Sequence, residues 1–265
     1  MSSYLDKRYN TVFNIKMQVT YPSHHSWLKD IVPGVDINFS GRVAKKIQAT
    51  LPLLEKASIV YDILPLSEDF LHDFIPMYNL KICTKENVLE QDVAAKTLYN
   101  VKSPFPYYSL SLRENDEFVG GTIFSLRSDK VSFAYRTFNT HWNVAESLKA
   151  SPALIGEFAV TKFAADKGLT SVMHGKDRNP YGLNASIGLA SFKLSVGCRP
   201  SVPKDYELKT IDTDTITEDC LILELPNKGS LITKAYLVTK RENEHQYTRA
   251  TKYPEQLTVE VLYRD

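Results

Sequence analysis

Residues 151–175, SPALIGEFAVTKFAADKGLTSVMHG, read as a helix followed by a strand. Ser151 suits a helix cap. Pro152 is tolerated at the first helical position, where its missing N–H would have no intrahelical partner in any case, and Gly168 suits a helix end. The strand that follows ends on His174 and Gly175. On the N-terminal side, PYYSLSLR (106–113), EFVGGTIFSLR (117–127) and VSFAYRTFN (131–139) come in quick succession and are separated only by the short polar turns END and SDK. This predicts an antiparallel meander with tight turns. The meander's last strand reaches LTSVMHG through one helix, a connection that makes those two strands parallel and right-handed. The fold class is therefore α+β with a mixed sheet.

Working outward, SIVYDILPL (58–66) predicts a strand and SEDFLHDFIPMYNL (67–80) a helix with an acidic first turn. ENVLEQDVAAKTLYNV (86–101) predicts a second helix. After the polar loop KDRNPYG (176–182), a further helix ends near LSVG (194–197), and CLILELP, LITKAYLVTK and QLTVEVLYR predict three strands. Before residue 58, TVFNIKMQV (11–19) alternates as a half-buried strand does. YPSHHSWLKDIVPGVDINFSG (21–41) is rich in turn residues, and GRVAKKIQATLPLLEKA (41–57) predicts a helix broken near Pro52. The expected organisation is an N-terminal extension over 1–57 and a main domain over 58–265, with a short linking segment around 201–218.

At 265 residues, with 43% hydrophobic and 24% charged residues, the chain can bury a full core. A net charge of +1 gives no overall field for a nucleic acid, so no nucleic-acid partner is expected and any anion site must be local. Cys83, Cys198 and Cys220 lack the spacing of a zinc site or redox pair, which predicts no metal and a reducing compartment. The first residues carry charges where a signal peptide needs an apolar run, and no run is long enough to span a membrane. The expectation is a soluble cytoplasmic protein without a membrane partner, with a homodimer left open.

This order of elements resembles the GNAT (N-acetyltransferase) superfamily over about residues 58–240. The resemblance implies a GNAT-like fold: a central mixed sheet with helices on both faces, here with an N-terminal extension. It implies acyl-CoA, such as acetyl-CoA, as donor substrate. The pyrophosphate would lie at the N-terminus of the helix that begins at Ser151, and the pantetheine arm between VSFAYRTFN and LTSVMHG. The family's glycine-rich phosphate turn is absent from ESLKASPALIG (146–156). Phe192-Lys193 and Gly197 are similar instead to the F-K-x-x-x-G ending of the FemABX-type branch. The implied activity is transfer of an acyl group to an amine of a small molecule by direct attack. Two alternatives stay open: an aminoacyl-tRNA donor, as in FemABX-type transferases, and a non-catalytic protein that binds a nucleotide-like ligand.

Each candidate residue has an ordinary reading beside the functional one. Ser151, Pro152, Ala153 and Leu154 would hold the donor's phosphates, or simply start a helix. Lys193 would reach an anion, or be an exposed lysine. His174 would take the proton of the attacking amine, with His141 as the rival base and Trp142 beside it as a wall; either histidine is otherwise structural. Tyr135 and Arg136 point to opposite faces of their strand, and a tyrosine hydroxyl there would protonate the leaving thiolate or sit in the core. Asp177 and Arg178 would read an acceptor amine and a carboxylate, with Tyr181 close by; such charged loops are usually solvated. His24-His25 lack the spaced ligands of a zinc site.

Overall fold

The computed structural model describes residues 17–83, 102, 105–143, 145, 148–183 and 185–264. In chain order the elements are β1 (Gln18–Pro22), β2 (His24–Asp30), α1 (Gly41–Thr50), β3 (Ile59–Pro65), α2 (Glu68–Cys83), β4 (Tyr107–Glu114), β5 (Glu117–Arg127) and β6 (Lys130–Phe138). They continue with α3 (Pro152–Asp166), β7 (Ser171–Arg178), α4 (Ile187–Ser195), β8 (Arg199–Ser201), β9 (Leu208–Asp212), β10 (Cys220–Leu223), β11 (Lys234–Thr239) and β12 (Thr258–Tyr263). The helix expected over 86–101 and the first part of the strand expected over 11–19 lie outside the described residues. No helix among the described residues is long and apolar enough to cross a membrane.

The chain forms two compact units: residues 29–175, and residues 1–28 together with 176–265. This division differs from the expected break after residue 57. The reason is pairing: β1 runs antiparallel to β9, and β2 pairs through Ser26–Leu28 with β8, so the first strands group with the last third of the chain.

In the unit 29–175, β3, β4, β5 and β6 form an antiparallel meander and β7 joins β6 in parallel. The β4–β5 turn is made by Asn115 and Asp116, at φ 50° and 64°, the left-handed pair a two-residue hairpin requires and that Asn and Asp tolerate. Ser67 Oγ accepts from the Phe70 amide at 3.3 Å and caps α2. That helix sets Phe70, Leu71 and Phe74 against Ile123 on one face of the sheet. On the other face α3 meets Tyr108 and Phe124 through Phe163. Gly156 lets α3 approach the sheet, because a Cβ there would overlap the Phe138 ring and lie 3.2 Å from Leu110 Cδ2. Gly156→Ala is therefore expected to lose about 1–3 kcal/mol of unfolding free energy to overpacking. Phe138→Leu in the same chain should restore part of it, as read from urea midpoints. An unchanged midpoint in the single variant would contradict the close approach.

In the unit formed by 1–28 and 176–265, β10 pairs antiparallel and β12 parallel with β11. Val19 and Tyr21 of β1 pack there with Ile222, Tyr236, Val238 and Leu262. Two sequence expectations change. The turn-rich stretch 21–41 contains a strand, β2, whose deepest side chains His25, Trp27 and Lys29 include two polar ones, which hides its inward face from a hydrophobic pattern. The segment around 201–218 contains β9, which is mostly exposed and so carries no apolar alternation.

Candidate active site

In the unit 29–175 the junction of β6, α3 and β7 assembles the residues that the sequence singled out there. The register of β6 against β5 jumps from Ile123–Tyr135 to Phe124–Phe133, so Ala134 is a bulge that bends the strand. Pairing of β6 with β7 covers only Lys130–Ser171, Val131–Val172 and Ser132–Met173, and stops immediately before that bulge. One residue past the last ladder pair, the Phe133 and His174 rings meet edge to face at 4.7 Å.

Alternation sends neighbouring β6 side chains to opposite faces. Tyr135 turns to the α2 face, where it meets Tyr78 edge to face at 5.5 Å. Arg136 turns to the α3 face: Nη1 donates to Glu157 Oε2 at 3.1 Å and Nη2 to the Ala153 carbonyl at 3.4 Å. Of the two readings of Tyr135, leaving-group acid or core residue, its place among the α2-side aromatics fits the second, and the acid role is corrected because the sheet lies between Tyr135 and α3. At that start Ser151 is extended and its hydroxyl makes no cap bond, and Pro152 occupies the first turn. The amides of Leu154 and Ile155 both donate to the Ser151 carbonyl, at 2.9 and 3.0 Å. Leu154 therefore has its amide engaged within the helix, whereas no hydrogen bond among the described residues engages the Ser151 hydroxyl or the Ala153 amide.

One turn further along α3, Glu157 is fully buried. Its Oε1 lies 3.0 Å from His174 Nε2, and Arg136 holds the other oxygen. Lys29, 2% exposed, adds a further cation on the same side, with Nζ donating to Thr161 Oγ1 at 3.2 Å. Burial alone would push the Glu157 carboxyl up; His174, Arg136 and Lys29 outweigh it and hold the group far below the usual carboxylate range. The His174 side chain is 1% exposed, so it sits against Glu157 and not at an open rim. His141 is exposed in the loop before α3, whereas Trp142 is buried and donates to the Ala150 carbonyl at 2.7 Å. Sequence reasoning missed Glu157 and Lys29. The available signal was a carboxylate within PALIGEFAV (152–160), a stretch otherwise apolar or small on every side, which calls for a buried partner.

The unit formed by 1–28 and 176–265 gathers Asp177, Arg178, Tyr181 and Lys193. Asp177 Oδ2 accepts from Tyr181 Oη at 2.6 Å, from Lys193 Nζ at 2.7 Å and from Trp27 Nε1 at 3.0 Å. Tyr181 and Trp27 are fully buried and Lys193 is 4% exposed. Lys193 is therefore corrected from a lysine reaching for phosphate to the buried counter-ion of Asp177. Burial raises the Asp177 carboxyl, and Lys193, Tyr181 and His25 more than offset it, leaving it below its ordinary value. Because Tyr181 has one proton and gives it to Asp177, its oxygen accepts from Trp27 Nε1 at 2.7 Å and from His25 Nε2 at 2.8 Å. This assigns the Nε2–H tautomer to His25. Asn179 anchors the loop through two bonds to the Leu223 backbone.

His25 is fully buried, and that burial pulls its pKa down to about 3, with Asp177 opposing and Lys193 and His24 assisting. The unfolded chain takes up a proton near pH ~6.5 that the folded chain refuses until about 3. The contribution is complete above the higher value and is lost as pH falls through the window between them. Urea midpoints measured across that window should fall with a slope approaching ~1.4 kcal/mol per pH unit from this group, and His25→Gln should flatten it. Parallel curves for the two proteins would refute the assignment.

Around Asp177 the same unit opens a cleft of about 710 Å³ whose walls include Ser23, Lys176, Arg178 and Lys209. No group of three or more His, Cys, Asp or Glu side chains suited to a metal occurs among the described residues.

No protein-family model matches the chain, and no curated protein does. Among solved structures, FemX is 13% identical at a TM-score of 0.47, over 74% of this chain and 61% of that one. The C-terminal domain of a putative lysylphosphatidylglycerol synthetase from Agrobacterium fabrum is 11% identical at 0.47, over 72% and 61%. L-PGS from Bacillus licheniformis is 12% identical at 0.41, over 61% and 47%. The chain spans about half to three fifths of the length of these proteins. Likeness at this level assigns neither activity nor substrate, so a functional reading has to rest on the junction of β6, α3 and β7.

Proposed function

We propose that the chain is a GNAT-like acyltransferase that uses acyl-CoA to acylate an amine of a small molecule. The observation that carries this reading is the β6–β7 pair: a parallel strand joined to an antiparallel meander, bulged at Ala134 and paired over only three positions. A parallel ladder that ends next to a helix N-terminus suits an extended donor with a diphosphate at one end. The Ser151 hydroxyl and the Ala153 amide meet the phosphates, with Pro152 and Leu154 shaping the first turn. Arg136, bonded to Glu157 and Ala153, fixes that turn to the sheet.

The amine nitrogen attacks the thioester carbonyl, the carbon–sulfur bond breaks, and the thiolate leaves with a proton. His141 takes the proton of the attacking amine, because His174 is enclosed. His174 acts through Glu157 as a positioning residue for α3.

Thermal melting with acetyl-CoA, free CoA and unacylated tRNA tests the donor, since a ligand at ~100 times its Kd adds ~2.7 kcal/mol of stability. A shift with both CoA species and release of free thiol with an amine panel are expected, and His141→Ala should slow that release ~100-fold or more at an unchanged melting temperature. Stabilisation by tRNA alone would move the reading to an aminoacyl-tRNA donor. No shift with any CoA species would end it.

A further inference from the structure

Three buried donors converge on a single oxygen of Asp177. Tyr181, Lys193 and Trp27 all bind Oδ2, and Oδ1 has no partner among the described residues. Asp177 also forms part of the wall of the 710 Å³ cleft, with a side chain 12% exposed. A carboxylate whose inner oxygen is fixed by three donors cannot rotate to bury the outer one. Oδ1 is therefore presented to the cleft as a rigid, charged acceptor, already desolvated on its inner side.

The rest of the cleft supplies the opposite charge. Lys176 and Asp205 neutralise each other at 2.5 Å. Arg178 and Lys209 line the same cleft and are exposed, and no ion pair or hydrogen bond among the described residues engages their charged ends. Glu207 also lines it, and its amide donates to Ser23 Oγ at 3.1 Å. The volume lies within the ~300–1,000 Å³ usual for small-molecule sites, but the walls are charged where such sites are mostly apolar. A wholly apolar ligand would strip these groups of water without replacing their bonds, so the ligand must carry charge of both signs.

We infer that this cleft binds a small zwitterion with a free ammonium and a free carboxylate, the ammonium on Asp177 Oδ1 and the carboxylate on Arg178 and Lys209. The inference does not depend on acyl transfer, and its test reads binding alone.

The test uses the full-length ¹⁵N-labelled protein titrated at constant ionic strength with glycylglycine, N-acetylglycylglycine and glycylglycine amide, each to about 100 mM. Glycylglycine is expected to give saturable shifts at the amides of Asp177, Arg178 and Lys209. Losing the ammonium or the carboxylate should each weaken binding by about tenfold or more. Arg178→Ala with Lys209→Ala should erase the preference for glycylglycine over its amide and keep the preference over the N-acetyl form. Both side chains are exposed, so the fold survives the change, and an unaltered amide spectrum elsewhere verifies that. Equal binding of the acetylated and free peptides overturns the inference, as does an absence of saturable shifts up to the highest concentration.

Discussion

Asp177→Ala is expected to lower the unfolding free energy by about 3–5 kcal/mol, the usual result of removing one member of a buried ion pair. The variant leaves the Lys193 ammonium, the Tyr181 hydroxyl and the Trp27 indole N–H without the oxygen that all three share. With Lys193 4% exposed, solvent cannot take over. Asp177→Asn should fall between, because the amide oxygen still accepts but no charge opposes the ammonium. Adding Lys193→Met to Asp177→Ala should recover a substantial part of the loss, since no charge then stays buried. Urea unfolding of the four proteins reads these differences directly. A loss below about 1 kcal/mol in the single variant would mean that the network is open to water.

The second large effect is expected at Glu157. Glu157→Ala removes the carboxylate between Arg136 and His174 and should also cost about 3–5 kcal/mol. Arg136 then loses its carboxylate partner and keeps its long bond to the Ala153 carbonyl. Glu157→Gln, which retains the shape and one acceptor, should cost less and should still hold Arg136. Glu157→Leu with Arg136→Met should be closer to the parent than Glu157→Ala, because packing replaces an ion pair without stranding a charge. If the double variant is as unstable as the alanine variant, shape and not charge controls this part of α3.

The meander was legible because two properties of its sequence agree. The turn residues Asn115 and Asp116 tolerate the left-handed geometry they adopt, and the connections are too short for another path. The helix from Pro152 and the parallel strand from Ser171 were legible from punctuation: Pro152 suits a first helical turn, and Gly168, at φ 71°, ends the helix before the strand. What sequence could not supply was the partner of a polar residue. His174 and Lys193 were read as groups at an open edge because polarity in a lone sequence implies exposure. Each is enclosed by a residue that only the fold brings to it, Glu157 for the first and Asp177 for the second. Strand β2 escaped for a related reason: His25 and Lys29 occupy inward positions where an alternation pattern expects apolar residues. Strand β9 escaped because it buries almost nothing and is recognised only by its pairing with β1.

The grouping of residues 1–28 with 176–265 has a consequence for biosynthesis. Strand β1 is made early, but its mate β9 emerges 186 residues after it ends, from Pro22 to Leu208. At ~5–20 residues per second the ribosome takes roughly 10–40 s to cover that distance, long enough for the intervening stretch to collapse on its own. Val19 and Tyr21 spend this interval without their final neighbours, a sticky ribbon on the nascent chain that a chaperone would be well placed to shield until translation nears completion.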